Sequence, residues 1–189
     1  MQKHWSDGQV LIRPYRRSDV DALYAAVCES VAEVGPWLSW CHAGYKRSES
    51  KAWIAACSAA WTRGESYDFG IFDARSSAYL GGCGLNQLNA LHQFANLGYW
   101  VRTSCAGRGV ASAAAHLVAH FGFEELGLRR IEIVVNVDNA ASLRVAEKVG
   151  ATREGVLRNR LVNDGRAEDA VMFSLLPSDL GILQRKREK

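Results

Sequence analysis

The stretch VRTSCAGRGVASAAAHLV, Val101 to Val118, holds the decisive junction of the chain. An apolar strand-like run ends in it, Gly107 and Gly109 turn the backbone, and an alanine-rich apolar segment begins. A strand that stops at a glycine-rich turn and opens a helix leaves the first helical N–H groups without intrahelical acceptors. Those donors and the positive end of the helix dipole favour phosphate oxygens. Gly107 and Gly109 lack side chains, so a pyrophosphate would approach the main chain closely, and Ser112 adds a hydroxyl. Glycine is also ordinary punctuation between strand and helix, so spacing alone leaves two readings: a plain turn or a phosphate cradle. The Walker pattern is absent. GRGVAS is one letter short of a dinucleotide fingerprint, and the next strand ends on Asn136 rather than on a ribose-binding carboxylate.

Outward from that junction, the pattern reads as alternating elements. Upstream, QVLIRPYR (9–16) predicts a first strand. A helix follows from Ser18 as N-cap, with Asp19 and Asp21 in its first turn and Leu23, Ala26, Val27 and Val31 at helical spacing. After the aromatic loop GPWLSWCHAGY, a second helix opens on a capping serine in SESK and closes on Gly64. YDFGIFDA and AYLGGCGLNQL read as a hairpin, and FANLGYWVR is the strand leading into the turn. Downstream come a helix over 110–126, the strand RRIEIVVNV, and a compact helix capped by Asp138 or Asn139 and ended by Gly150. Two further strands close the series. That order is one α/β domain on a mixed sheet (α+β in the placing of its strands), with no internal repeat or linker.

Composition narrows the classes. With 189 residues, 48% hydrophobic and 23% charged, the chain reads as one soluble domain, and its formal charge of +3 is too small to signal a nucleic-acid-binding face. The five cysteines are scattered and form no C-x-x-C pair, so they read as reduced thiols in a cytoplasmic protein without a zinc site. No apolar run reaches the ~18 residues of a membrane span, and the N-terminus has no secretory core.

The turn and its surroundings resemble the GNAT superfamily of N-acetyltransferases. AGRGVA (106–111) fits the pattern Q/R-x-x-G-x-G/A at Gly109 and Ala111 and departs from it at Ala106. LGYWVRTSCAGRGVASAA, FEELGLRRIEIVVNVDNAASLRVAEKVGATREGVLRNR and PWLSW together resemble the Rim-type branch, which acetylates ribosomal-protein N-termini, over about Leu11 to Leu176. The resemblance implies a single GNAT-type acyltransferase domain, residues 9–177, with a tail at 178–189. It implies that strands 95–102 and 130–136 splay around the pantetheine arm of acetyl-CoA, whose amides satisfy their free backbone groups. Pyrophosphate would rest on Gly107, Arg108, Gly109, Val110, Ala111 and Ser112, while main-chain N–H groups near Tyr99, Trp100 and Val101 serve the oxyanion. Asn139 would hold the pantetheine, and Ser142 would touch the cofactor and give the departing thiolate its proton; both residues also suit plain helix capping.

The resemblance implies direct transfer to an amine, first a protein N-terminal α-amine and alternatively a polyamine, amino sugar or antibiotic. A catalytically silent acyl-CoA-binding protein is the rival from another class. Some Rim-type relatives carry a glutamate where Leu161 falls, so the base is not identified; Glu29, Glu33, His42 and a water relay are the substitutes. Trp37 and Trp40 lie where the acceptor would bind, and either cap the core or line a groove. His116 and His120 form an i, i+4 pair with no third metal ligand, Cys105 has no histidine partner, and monomer and homodimer both remain open.

Overall fold

The computed structural model describes residues 3–182. Its sheet contains β1 (Trp5–Ser6), β2 (Val10–Pro14), β3 (Tyr67–Asp73), β4 (Tyr79–Asn89), β5 (Phe94–Val101), β6 (Arg130–Asn136), β7 (Thr152–Asn163) and β8 (Arg166–Leu175). The helices are α1 (Val20–Val34), α2 (Arg47–Arg63), α3 (Val110–Glu124) and α4 (Ala140–Lys148). The strands run in the order β1-β2-β3-β4-β5-β6-β8-β7 in one sheet. All neighbours are antiparallel except β5 and β6. The mixed α/β sheet expected from the sequence is present.

Alternation in the strands assigns the two faces. On one face Phe69, Ile71, Leu85, Ala95, Leu97, Ile131, Ile133 and Val135 are buried beneath α3. Ala114, Ala115 and Ala119 let that helix sit close. A Cβ on Gly122 would come within 2.9 Å of Ile131 Cδ1 and 3.0 Å of Leu85 Cδ1, so any larger residue there must displace those methyls. On the opposite face α1 and α2 cover a second cluster, with Val20, Leu23, Ala26, Val27, Ile54, Phe72 and Tyr79.

Three local expectations shift. A 3-10 turn over Arg17–Asp19 precedes α1, so Ser18 is no cap. The Asp19 carboxylate accepts the Arg16 N–H at 2.7 Å and two bonds from Arg13 at 2.8 Å, which is how a buried charge is tolerated there. Likewise α2 begins at Arg47, ahead of the expected serine, because Glu49 reaches back to the Lys46 N–H at 2.7 Å. Of the two proposed caps on α4, Asn139 holds the place, its Oδ1 accepting from Ser142 N–H at 3.0 Å. The two-residue β1 is too short to show any alternation in sequence.

The central strands part company. β5 and β6 are in register only at Phe94/Arg130, Ala95/Ile131 and Asn96/Glu132. Beyond Asn96, β5 keeps pairing with β4 as far as Val101, and β6 keeps pairing with β8 as far as Asn136. The facing edges of β5 and β6 therefore leave alternate N–H and C=O groups without a strand partner.

Candidate active site

The gap between β5 and β6 opens a cavity of about 1120 Å³ that runs from the turn before α3 to the loop between α1 and α2. It exceeds the usual ~300–1,000 Å³ of a small-molecule site, as two reactants would require.

At the turn, Gly107 and Gly109 have φ of +75° and +80°, the left-handed region where a side chain is strained. A Cβ on Gly107 would meet nothing within 4 Å, and one on Gly109 only the Lys148 ammonium at 3.6 Å. Gly109 is the N-cap of α3 and no side chain caps it, so the N–H groups of Val110, Ala111 and Ser112 have no side-chain acceptor. All five residues line the cavity. Arg108 does not; it is exposed and lies outside the lining. Arg144 and Lys148 of α4 line the cavity, and Lys148 Nζ lies 3.6 Å from where a Cβ on Gly109 would stand. Two cations beside an uncapped helix start and an open glycine turn fit a pyrophosphate.

Midway along the gap, the Tyr99 hydroxyl lies 3.0 Å from Ser142 Oγ and 3.1 Å from the Ser142 carbonyl. Burial pushes the Tyr99 phenol up to about 12, against the opposing effect of the Ser142 hydrogen bond. It stays protonated at neutral pH. Asn139 and Ser142 line the cavity beside Tyr99, Trp100 and Val101, so the predicted residues of both splayed segments converge. Asn139 also caps α4 through its oxygen; both suggested uses of that residue are structurally compatible.

The far end is aromatic. Trp37 and Trp40 are 37% and 40% exposed, and Trp53, missed in sequence, is 47% exposed; all three line the cavity. Trp40 meets Trp100 edge to face, with centroids 5.4 Å apart. Lining a groove, rather than capping the core, is what these indoles do. The floor carries Gly82, Gly84, Gly98, Asn86, Asn96 and Asp68.

The substitutes for a base fare unevenly. Glu29 is outside the lining, and the Arg102 guanidinium and Ser104 hold its carboxyl down at about 2, too weak a base for an amine. His42 is also outside, 3.3 Å from Glu49. Glu33 lines the cavity but is exposed and accepts from Thr103 at 2.8 Å. Leu161 lines it as well, an apolar side chain at the position in question. Cys105 lines the cavity, its sulfur 3.9 Å from Ser104 Oγ. The His116 and His120 rings stack at 5.8 Å, and no group of three or more metal-ligating side chains occurs among the described residues.

A profile of the acetyltransferase (GNAT) domain matches residues 9–152. The chain belongs to the GNAT acetyltransferase family. It is an acetyl-CoA-dependent N-acetyltransferase. The chain is 36% identical over 116 residues to a Bacillus subtilis protein named Probable N-acetyltransferase YjcK, covering 61% of this chain and 64% of that one. It is 27% identical over 146 residues to the Escherichia coli ribosomal-protein-serine acetyltransferase, covering 77% and 80%. The Escherichia coli spermidine N(1)-acetyltransferase is 25% identical over 91 residues, covering 48% and 49%. Among solved structures, RimL, a ribosomal L7/L12 alpha-N-protein acetyltransferase in complex with coenzyme A, has the same fold. It superposes with a TM-score of 0.81 at 24% identity, over 89% of this chain and 94% of that one.

Proposed function

We propose that this acetyltransferase modifies the N-terminal α-amine of a protein. The observation that carries this reading is the acceptor end of the cavity, a broad mouth lined by Trp37, Trp40 and Trp53. Indole faces suit the mixed apolar and amide surface of a peptide end. A polyamine calls instead for several carboxylates free of partners; here Glu49 accepts from the Lys46 main-chain N–H and lies 3.3 Å from His42, and Glu33 accepts from the Thr103 hydroxyl.

Acetyl-CoA supplies an acyl thioester; the chain supplies position and protons. Gly107, Gly109, Val110, Ala111 and Ser112 would hold its pyrophosphate by main-chain N–H groups, with Lys148 and Arg144 neutralising charge. The free edges of β5 and β6 would orient the pantetheine amides, and Asn139 has its side-chain nitrogen available for them. Main-chain N–H groups of β5 near Tyr99 to Val101 would meet the carbonyl oxygen as it gains charge. The Tyr99–Ser142 pair would keep a hydroxyl proton ready for the departing sulfur, Ser142 donating and Tyr99 restoring it.

The test is release of CoA thiol with peptides beginning in serine, alanine or methionine, each compared with its Nα-blocked form and with spermidine. Acetylation of the free α-amine alone is expected. Preference for spermidine would replace the acceptor, and tight CoA binding without turnover on any amine would leave a binding protein.

A further inference from the structure

Asp19, Glu29 and Glu154 each take an arginine partner, Arg13, Arg102 and Arg130 respectively. Asp68 stands apart. It is partly buried on the cavity floor, has no ion pair among the described residues, and takes one side-chain hydrogen bond, from Ser66 Oγ at 2.6 Å. A carboxylate removed from water without a cation is costly and unusual.

Its position is set by three strands. Asp68 of β3 faces Gly84 of β4, which faces Gly98 of β5. A Cβ on Gly84 would fall 2.7 Å from Asp68 Oδ1, so the carboxylate overhangs the middle strand. Adjacent strands lie about 4.8 Å apart, which puts it within roughly one strand spacing of β5 where that strand leaves β6. Two glycines keep the path clear. Beside it, Asn96 Nδ2 donates to Asn86 Oδ1 at 3.0 Å, while Asn96 Oδ1 is buried with no hydrogen-bond partner. Asn96 is also the last β5 residue paired with β6. The floor thus offers an unpaired carboxylate at the mouth of the splay, and what satisfies it is a cationic group with N–H donors.

Resting on the reading that an amine is acetylated here, we infer that Asp68 receives the acceptor's ammonium and takes its proton. One proton passes from the nitrogen to Asp68 and later to solvent. The freed pair forms the N–C bond as the C–S pair leaves with sulfur. The second amine proton replaces the one that the Tyr99–Ser142 pair gives to that sulfur. Burial raises the Asp68 carboxyl above the ordinary carboxylate range, against the Ser66 hydrogen bond, which makes it a better base near neutral pH. Among the described residues, the titratable groups coupled to it are thiols, and the cavity's cations, Arg144 and Lys148, belong to the end beside the α3 turn. Cys57 of α2 and Cys83 of β4 are both pushed up by burial, with Asp68 adding to the rise. Tyr15, whose hydroxyl lies against Gly82, is pushed up by burial and by Tyr79, while Glu33 and Glu49 share the cavity.

Asp68→Asn tests this, assayed with whichever amine the wild-type protein acetylates among Ser-, Ala- and Met-initiated peptides and spermidine. The expected result is a fall of about 100-fold or more in kcat/KM for the amine, the usual scale for a lost base, with CoA affinity by calorimetry unchanged. The acid limb of the kcat/KM profile should move up to the amine's own pKa, ~8 for an α-amine. Relief of an unpaired charge should also raise Tm at neutral pH by about 2 °C or more without any ligand. An independent measurement on the wild-type protein is the carboxyl ¹³C titration of Asp68 with CoA bound. Its midpoint should lie above the ordinary ~3.9 and fall when the amine is added. A variant within about threefold of wild-type kcat/KM, or an Asp68 midpoint at or below that ordinary value, overturns the assignment. Spermidine as the amine used would revise the acceptor and leave Asp68 standing; a wild-type protein that acetylates no amine overturns both.

Discussion

Gly109→Ala separates a backbone needed for folding from one needed for binding. Gly109 sits at φ +80° and ψ 1° at the start of α3, where alanine costs about 1–2 kcal/mol. Alanine's smaller unfolded-state entropy returns about 0.4–1 of that, so the net loss of stability is about 1 kcal/mol. For a chain of this size that lowers Tm by about 2–4 °C. The new methyl meets no backbone, only the Lys148 ammonium at 3.6 Å, so no clash adds to the strain. It would stand between that cation and the helix start, where the proposed pyrophosphate site lies. Losing one charge-assisted hydrogen bond there is worth about 2 kcal/mol, or roughly 30-fold in the Kd of CoA. Gly165→Ala is the control: φ is +75°, nothing lies within 4 Å, and the β7–β8 turn is outside the cavity lining. Calorimetry with CoA and with pantetheine, alongside thermal melts of both variants, reads the two effects. Both variants should melt lower, only Gly109→Ala should lose CoA, and neither should lose pantetheine. CoA binding within about threefold of wild type in a destabilised Gly109→Ala would refute the phosphate reasoning.

Lys148→Met should weaken CoA by about 1–2 kcal/mol at low salt and by less as salt rises; pantetheine affinity should stay the same, as titrations at two ionic strengths would reveal. Ser142→Ala and Tyr99→Phe should each lower kcat by about tenfold, and the double variant by clearly less than the product, because the two hydroxyls form one relay 3.0 Å across. Strict additivity in steady-state assays would separate them. Glu29→Gln should cost about 1 kcal/mol in urea unfolding at pH 7, after allowance for solvent screening. Because the folded carboxyl titrates at about 2 and the free one near 4.5, that stability is present above pH 4.5 and is lost as pH falls toward 2. Wild type and variant should therefore converge in acid, and a gap that persists at pH 2 would disprove the ion-pair origin.

Much of this architecture is written locally. Gly107 and Gly109, the alanine face of α3 and the period-two runs of β3 to β6 reveal their elements because turn chemistry and burial act over a few residues. Asn139 and Ser142 stand out only through the family resemblance, since helix capping already explains both locally. Asp68 does not stand out: YDFGIFD offers it as one polar residue in an alternating strand. Its isolation arises only when β3, β4 and β5 align it with Gly84 and Gly98. Lys148 shows the same limit, since a lysine in a last helical turn already has a local explanation, and only packing carries it to Gly109. At α1 the error was of another kind. Ser18 has the right chemistry for a cap, but Arg13 and the Arg16 N–H give the Asp19 carboxylate a stronger claim on the turn.

The short contact between β5 and β6 makes the sheet two panels joined along a partial seam. The strand pairing that joins them is limited to the rungs at Phe94, Ala95 and Asn96, supplemented by the Tyr99–Ser142 and Asn163–Pro36 hydrogen bonds, with α3 laid across as a splint. A bound pantetheine chain would continue the stitching where the strands do not. Hydrogen exchange should therefore slow on both lips of the seam when CoA binds, on the α4 side as well as at the residues it touches on β5. Loading the cofactor would then stiffen the panel that carries the Trp40 mouth, so that the acceptor meets a firmer surface after the donor has arrived.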